Sequence, residues 1–145
     1  MSIHDMTLQE QSLLFANLAS LAYGNEKDVR KSAKAFGFTK TAFFDHGGAQ
    51  AYRFENKTDV VVACRGTQPT EFNDIKADLK AVPVMAETVS RVHHGFKVEV
   101  DELWPYVSAK LMQKKDETKK LWFCGHSLGA AMATIMASRC MYEST

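Results

Sequence analysis

A serine flanked by two glycines is the feature of this sequence that most directly suggests chemistry. Residues 125–129 read Gly-His-Ser-Leu-Gly, which fits the pattern G-x-S-x-G. The apolar run Leu121–Cys124 ends just before this pattern, and an apolar run typical of a helix starts at Leu128. A sharp strand-to-helix turn of this kind exposes a serine hydroxyl at the end of the strand, where it can attack a carbonyl carbon. Ser127 is therefore the candidate nucleophile.

The helix predicted after the serine contributes to the same chemistry. Amides at a helix N-terminus and the positive end of the helix dipole favour the negative charge that develops on an attacked carbonyl oxygen. By chance alone, the five-residue pattern is expected in roughly one chain in twenty of this length. The identification of Ser127 as a candidate nucleophile therefore depends mainly on the predicted strand before it and the predicted helix after it. The alternative is a glycine-rich strand-to-helix turn with an inert serine.

Caps and periodicity predict two helices near the start of the chain. Thr7–Glu10 has the spacing of a capping box. Apolar residues at helical spacing follow it as far as Gly24, which is a plausible stop. A second helix is predicted over about 26–35, ending near Gly37. These helices precede the strands that must support the serine turn.

Strand patterns come next, and the fold class follows from their order. The predicted strands and later helices are Thr41–Asp45, Ala49–Glu55, Asp59–Cys64, a helix over about 96–111, the strand Leu121–Cys124 and the helix Leu128–Met141. The run Val60–Cys64 is apolar on both faces, which is typical of a strand inside a helix-covered sheet. Pro105 should kink or split the long helix near Trp104. The pattern predicts an α/β fold with a largely parallel sheet and helices on both faces.

Composition and charge exclude several classes of protein. The chain has 145 residues, of which 46% are hydrophobic and 24% are charged, so disorder and low-complexity structure are excluded. Its 18 Lys and Arg residues nearly balance its 17 Asp and Glu residues. No overall field therefore favours binding to nucleic acid. The length suggests a single domain.

The cysteines and the N-terminus suggest the compartment. Cys64, Cys124 and Cys140 form no close pair, which argues against a disulfide framework and against a zinc site. The first residues show no basic region followed by an apolar stretch, so no signal peptide is predicted. No apolar run approaches the roughly 18 residues of a membrane span. The location is therefore expected to be cytoplasmic or is left open, and nothing in the sequence implies a metal or an organic cofactor.

Four segments together resemble the class 3 lipases, the fungal-lipase-like branch of the α/β-hydrolases. They occur in the family's order and at comparable spacing, over about 51–137. Cys64 departs from the pattern, because the family often has an aromatic residue there. The segments are Val60-Val61-Val62-Ala63-Cys64-Arg65-Gly66-Thr67, Ala77-Asp78-Leu79, Val92-His93-His94-Gly95-Phe96 and Gly125-His126-Ser127-Leu128-Gly129-Ala130-Ala131. The resemblance implies an α/β-hydrolase fold.

The resemblance assigns roles to the residues of the serine turn. Ser127 resembles the nucleophile, and the backbone N–H of Leu128 together with Thr67 resembles the oxyanion hole. Two donors from separate strands would then converge on the developing negative charge. For Thr67, the alternative is a loop threonine that binds only local backbone. Gly125 and Gly129 allow the sharp turn.

A histidine is the residue expected to act as the general base of a serine nucleophile. His126 lies within the turn, and its side chain should point away from the substrate pocket. His93 resembles a residue that supports the site in this family without acting as the base. No histidine follows Ser127, although the triad order in α/β-hydrolases is Ser, then Asp or Glu, then His. Residues 1–145 therefore resemble the N-terminal portion of one hydrolase domain, with the nucleophile half of a triad.

A short amphipathic segment lies where family members have a lid. Phe72, Ile75 and Leu79 are spaced i, i+3 and i+7, which places them on one face of a helix. Such a helix could cover an acyl site and open at a lipid surface. The alternative is a stripe that packs permanently on the core.

Three explanations account for the missing base. The first is that these residues belong to a longer lipase, or to one chain of a two-piece assembly completed by a second chain or a C-terminal segment. The second is a complete but inactive module that binds a partner through the uncovered edge of the serine strand. The third is an enzyme with an upstream base such as His93 or His94. The resemblance implies hydrolysis of lipid or small carboxylic esters by the first of these, with transient contact at a lipid interface.

Overall fold

The computed structural model describes residues 2–65, 83–84, 92–111 and 118–143. After a single 3-10 turn at Ile3–Asp5, the helices in these ranges are α1 (Leu8–Leu21), α2 (Glu26–Ala35), α3 (His94–Leu111) and α4 (Leu128–Glu143). The strands are β1 (Lys40–His46), β2 (Ala49–Glu55), β3 (Asp59–Arg65), β4 (Pro83–Val84), β5 (Val92–His93) and β6 (Lys120–Gly125). Each predicted helix and strand that lies within the described ranges is present.

The two N-terminal helices begin at the residues whose side chains cap them. The hydroxyl of Thr7 accepts a hydrogen bond from the Glu10 N–H at 3.2 Å, and the Thr7 N–H donates to the Glu10 carboxylate at 2.7 Å. This reciprocal pair is the predicted capping box. α2 begins after Asn25, whose side-chain oxygen accepts from the Asp28 N–H at 3.0 Å. The cap residues therefore determine where both helices begin.

Tight turns join the first three strands into an antiparallel meander. β1 pairs with β2 from Lys40 opposite Glu55 to His46 opposite Ala49. Gly47 and Gly48 form the two-residue turn with φ values of 61° and 85°, which suits the right-handed twist of a hairpin. β2 pairs antiparallel with β3.

The fourth strand of this sheet is the one that leads to the serine. β6 pairs parallel with β3, from Asp59 opposite Lys120 to Cys64 opposite Gly125. The strand order is β1-β2-β3-β6, and β4 and β5 form a separate two-stranded sheet. Among the described strands the main sheet is thus mixed rather than largely parallel, because short turns can connect only antiparallel neighbours. In this order β6 lies at one end of the main sheet.

The long helix α3 contains a proline. Pro105 lies in the middle of α3, which nevertheless runs from His94 to Leu111 as one helix and is not split at Trp104. The proline removes one helical hydrogen bond. The buried face of the helix offsets that loss, because Val100, Leu103 and Val107 are fully excluded from solvent. Within the described ranges, no helix has both the length and the apolar character needed to cross a bilayer.

Two apolar cores lie on opposite faces of the main sheet. One core lies between the sheet and helices α3 and α4, and the other lies between the sheet and helices α1 and α2. The first includes Val62, Cys64, Val100, Leu103, Met132 and Met136, and the second includes Leu18, Val29, Phe38, Tyr52, Phe54 and Val61. The prediction of helices on both faces is confirmed.

The buried Asp59, at the start of β3, accepts hydrogen bonds from three other residues. Its carboxylate is fully buried and accepts hydrogen bonds from the Ile3 N–H at 3.1 Å, the Thr58 hydroxyl at 2.6 Å and Trp122 Nε1–H at 2.8 Å. A buried charge is tolerated when several donors satisfy it. Asp59 therefore joins the N-terminus and β6 to the start of β3.

A second buried carboxylate lies one strand away. Glu55 is paired with Arg53 at 2.7 Å and with Lys119, the residue just before β6. Burial alone would raise the pKa of Glu55, but hydrogen bonds from Lys119 and Arg53 outweigh it and hold the pKa at about 2. Glu55 is therefore ionised at neutral pH, and it joins β2 to the entry of β6.

Candidate active site

The backbone of Ser127 has the strained conformation of a nucleophile turn. Its φ is 57°, and Ser127 is the sole non-glycine residue with a positive φ among those described. A residue with a β-carbon rarely adopts this region, and such strain concentrates at functional sites. β6 ends at Gly125 and α4 begins at Leu128, so the strained residue occupies the strand-to-helix turn.

The turn is so tight that Gly125 cannot carry a side chain. A β-carbon built at Gly125 would overlap the backbone of Gly129 and lie 2.8 Å from the Ala130 nitrogen. The end of β6 and the first turn of α4 therefore touch, backbone to backbone. The two glycines of the sequence pattern meet at this contact.

The first turn of α4 is built around the serine. The carbonyl of Ser127 accepts hydrogen bonds from the N–H groups of Ala130 at 3.0 Å and Ala131 at 3.4 Å. The Gly129 N–H donates to the backbone carbonyl of His126 at 3.0 Å. Leu128 is the first residue of the helix, and amides at this position have no partner within the helix. Such an amide can stabilise a developing oxyanion.

The serine side chain is accessible. Ser127 and His126 are exposed, whereas the Leu128 side chain is buried and anchors the turn in the core. Within the described part of the chain, no hydrogen bond joins the Ser127 hydroxyl to a histidine or a carboxylate. Among the described residues, the candidate nucleophile therefore has no base hydrogen-bonded to it.

Tyr23 supports the turn from the end of α1. Its hydroxyl donates to the His126 carbonyl at 3.3 Å, and its ring packs edge-on against the His126 ring at 6.5 Å. The Arg65 guanidinium lies 5.7 Å from the centre of the Tyr23 ring. Sequence reasoning missed both residues, because Tyr23 reads only as part of a helix end and Arg65 only as a strand end.

Cys64 and Cys124 offer no alternative nucleophile. Burial raises the pKa of the Cys124 thiol to about 12, and burial together with the neighbouring Cys124 raises that of Cys64. Both thiols are therefore neutral at physiological pH, and Cys64 donates to the Met136 sulfur at 3.6 Å. No group of histidine, cysteine and carboxylate side chains in the described residues could hold a metal ion.

Several predicted site residues lie outside the described residues. These are Thr67, the second oxyanion donor, and the predicted lid residues Phe72, Ile75 and Leu79. The backbone of His93 is described as part of β5, where it pairs with Pro83. The roles of these four residues and of His93 stay predictions, as does the direction of the His126 side chain relative to a substrate pocket.

A family comparison agrees with this geometry. A model of the class 3 lipase family matches residues 61–144, which is more than half of the chain. The match begins in β3, includes the serine turn and extends through α4. A sequence search of the curated proteins finds no match.

Solved structures with the same fold are lipases. They include a triacylglycerol lipase with a serine protease triad (23% identity, TM-score 0.74), the Rhizomucor miehei triacylglyceride lipase (22%, 0.69) and the lipase from Rhizopus microsporus var. chinensis (21%, 0.65). The matches cover 97%, 96% and 95% of this chain and 58%, 57% and 53% of those lipases. The chain thus spans a little over half of their length. At these identities the likeness shows the fold, which is of the α/β-hydrolase type.

Proposed function

This chain belongs to the class 3 lipase family, and from that membership we propose that it carries the nucleophile of a serine ester hydrolase that acts on lipid acyl esters. The observation that carries the proposal is the positive φ of Ser127 at the end of β6. Two of the matched structures are of triacylglycerol lipases, which supports acyl esters of lipids as the substrate class.

In the proposed reaction the Ser127 hydroxyl attacks the ester carbonyl carbon. The proton of the hydroxyl passes to a base as the bond forms, and negative charge develops on the carbonyl oxygen. The Leu128 N–H at the start of α4 is the first oxyanion donor, and Thr67 is the second. The intermediate collapses and the alcohol leaves with the proton that the base had taken. Water then gives a proton to the base and attacks the acyl-serine, and the carboxylic acid is released as Ser127 regains its proton.

The base and its partner acid are proposed to lie in polypeptide outside residues 1–145. A serine hydroxyl is a weak nucleophile without a base oriented by a carboxylate. His4 is exposed near the N-terminus, and the half-buried His46 lies at the β1–β2 hairpin, where its ring stacks on Tyr106. On this proposal, residues 1–145 are the N-terminal portion of one hydrolase domain.

The approach of substrate is proposed to involve the segment between β3 and β4. Phe72, Ile75 and Leu79 form a lid whose apolar face contacts lipid when it opens, and His93 supports the site beneath it. One matched structure is described as a model for interfacial activation of a fungal lipase. A sharp rise in turnover above the concentration at which the substrate forms an interface would support the lid.

The nucleophile is tested by hydrolysis of p-nitrophenyl esters by the whole polypeptide that contains this chain. Ser127→Ala should lower kcat/KM by at least about a thousandfold, because the covalent step is removed. Ser12→Ala is a matched control, since Ser12 is exposed on α1 and should retain full activity. A Ser127→Ala protein as active as the parent would contradict the assignment.

The position of the base is tested with residues 1–145 alone. We expect this chain to hydrolyse the same esters at a rate close to background, because Ser127 has no described base. Robust turnover by a preparation whose mass confirms 1–145 would show that an upstream residue such as His94 acts as the base.

A second candidate function is a non-catalytic binding module. It is favoured by one observation, the absence of a base near Ser127 among the described residues. This candidate requires that the whole polypeptide fails to react with a serine-directed fluorophosphonate. Stoichiometric labelling that Ser127→Ala abolishes would exclude it.

A further inference from the structure

The solvent-facing side of α2 carries a row of lysines. Lys27, Lys31 and Lys34 are exposed and are spaced i, i+4 and i+7, which places them along one face of the helix. Val29 and Ala33 are buried and fix the opposite face of α2 on the core. The row therefore lies in solvent, and it extends over about 10 Å along the helix axis.

The acidic side chains of α2 do not neutralise this row. The Glu26 carboxylate pairs with Arg30 at 2.6 Å, and the Asp28 carboxylate accepts a hydrogen bond from the side-chain amide of Asn25 at 2.7 Å. Within the part of the chain that the structure describes, no ion pair involves a lysine of the row. Because Arg30 balances Glu26, the positive charges of the row exceed the single negative charge of Asp28.

An exposed aromatic ring and a further amine continue the row past the end of α2. Phe36, the residue after the helix, is 40% exposed. Lys40 is exposed at the start of β1. Its strand neighbour Glu55 is buried and already paired with Arg53 and Lys119, so it does not neutralise Lys40. We call the following residues the basic face: Lys27, Lys31, Lys34, Phe36 and Lys40.

The basic face is a local excess of charge in a chain that is nearly neutral. The whole chain has 18 Lys and Arg residues against 17 Asp and Glu residues. Salt at physiological strength screens charges beyond about 8 Å. A macromolecule that touches α2 therefore experiences the lysines of the basic face and not the small net charge of the chain.

The basic face extends from the level of the serine turn to the opposite end of the main sheet. α2 begins at Glu26, three residues after Tyr23, whose hydroxyl donates to the His126 carbonyl. Past the end of α2, the Thr39 N–H donates to the Glu55 carbonyl at 3.0 Å, at the far end of β2. A surface bound along α2 therefore lies beside the sheet, and its contact is separate from that of the predicted lid.

We propose that the basic face binds the surface of an anionic phospholipid bilayer. A lysine close to an anionic leaflet contributes about fivefold to affinity, and clusters of four or more are typical of proteins that bind such leaflets. The exposed ring of Phe36 suits the boundary between headgroups and acyl chains, where aromatic side chains are favoured. An acidic polypeptide would pair with the lysines but would gain little from Phe36. The inference does not depend on Ser127 being catalytic.

Co-sedimentation with vesicles tests the proposal in the polypeptide that contains this chain. Vesicles of phosphatidylcholine with about one third phosphatidylserine should bind it at least about a hundredfold more tightly than vesicles of phosphatidylcholine alone. Salt at about 1 M should abolish this preference, because charges are then screened beyond about 3 Å. Equal affinity for the two kinds of vesicle would show that the proposal is wrong.

Two matched variants test whether α2 makes the contact. Lys34 and Lys110 are both exposed lysines in the last turn of a helix, but Lys110 belongs to α3, which packs on the other face of the sheet. Lys34→Glu should weaken binding to the anionic vesicles by at least about tenfold, since one attractive charge becomes repulsive. Lys110→Glu changes the net charge equally and should leave binding unchanged. Equal effects of the two variants would contradict a contact through α2.

Phe36 distinguishes a bilayer from an acidic polypeptide. Phe36→Ser should weaken binding to the anionic vesicles by about fivefold, because the ring no longer leaves water. Polyglutamate serves as the acidic polypeptide in the comparison. Tighter binding to polyglutamate than to the vesicles, with no effect of Phe36→Ser on either, would overturn the proposal in favour of an acidic protein partner.

Vesicle binding and ester hydrolysis are separated by two measurements. Ser127→Ala should bind the anionic vesicles as tightly as the parent protein. Lys34→Glu should hydrolyse a dissolved p-nitrophenyl ester at the rate of the parent, because Lys34 lies outside the serine turn. Failure of the proposed hydrolysis therefore leaves vesicle binding intact, and failure of vesicle binding leaves hydrolysis intact.

Discussion

The parallel strands β3 and β6 have similar apolar sequences and different surroundings. In β3 every residue from Asp59 to Cys64 is buried, with a paired strand on each side. In β6 every residue from Leu121 to Gly125 is only half-buried. The difference arises at the outer edge, since helices cover both faces of the sheet. An apolar run therefore shows that both faces of a strand are covered, and says nothing about its edges.

The two strands also differ in what their ends do. β3 begins at the buried Asp59, which binds a side chain of β6. β6 ends at Gly125, two residues before the strained Ser127. The less buried strand thus leads to the candidate nucleophile, and the more buried strand holds β6 in place.

The largest loss of stability is expected where the two strands are joined. Asp59→Ala should lower the free energy of unfolding by about 4 kcal/mol, because three donors lose a buried charged acceptor. Asp5→Ala is the control, since Asp5 is exposed and accepts, among the described side chains, from the Ser2 hydroxyl. Denaturant unfolding measures both. A loss for Asp59→Ala no larger than that of the control would show that Asp59 does not hold β6 to β3.

A slightly smaller loss is expected at the other end of β6. Gly125→Ala should cost about 3 kcal/mol and abolish ester hydrolysis, because the new methyl group must separate the strand from α4. The control is Gly37→Ala, where φ is 89° but nothing lies within 4 Å of the added carbon. That change should cost about 1 kcal/mol. Equal costs would mean that the close approach of the two backbones at Gly125 adds little to the cost of the substitution.

Local sequence signals predicted the elements of both cores. Thr7 and Glu10 marked the start of α1, and the turn glycines at 47–48 marked the hairpin between β1 and β2. These signals act within a few residues, so they can be recognised in a single sequence. The prediction that Pro105 splits the helix was wrong, because the free energy lost at the proline is outweighed by burial of one face of α3. That burial exists only in the folded chain.

The candidate site was predictable only in its local part. The turn at Ser127 is encoded within five residues, and its strain follows from the two glycines. Tyr23 contacts His126 from 103 positions away, and no local pattern signals that contact. Among the described strands, β6 pairs with β3 alone, and this too follows from the order of the strands in the sheet. Strand order depends on long-range packing, which cannot be read from the periodicity of apolar residues.

A pH-dependent effect is expected at the entry to β6. The pKa of Glu55 is about 2 in the folded chain against 4.5 for the free side chain. A lowered carboxyl pKa stabilises the fold above pH 4.5, and this contribution is lost as the pH falls toward 2. Stability should therefore fall by about 2 kcal/mol between about pH 5 and pH 3. Glu55→Gln should flatten that dependence, and an unchanged slope in this variant would show that other carboxylates cause it.

The smallest effect distinguishes the two strands most directly. Val62 of β3 and Leu121 of β6 contact the same core, but Val62 is fully buried and Leu121 is half-buried. In residues 1–145, Val62→Ala should cost about 2 kcal/mol and Leu121→Ala only about 1 kcal/mol, although leucine loses more atoms. Urea unfolding of the parent and of both variants measures the two costs. A Leu121→Ala cost as large as that of Val62→Ala would show that the lower burial of β6 does not reduce the contribution of its side chains.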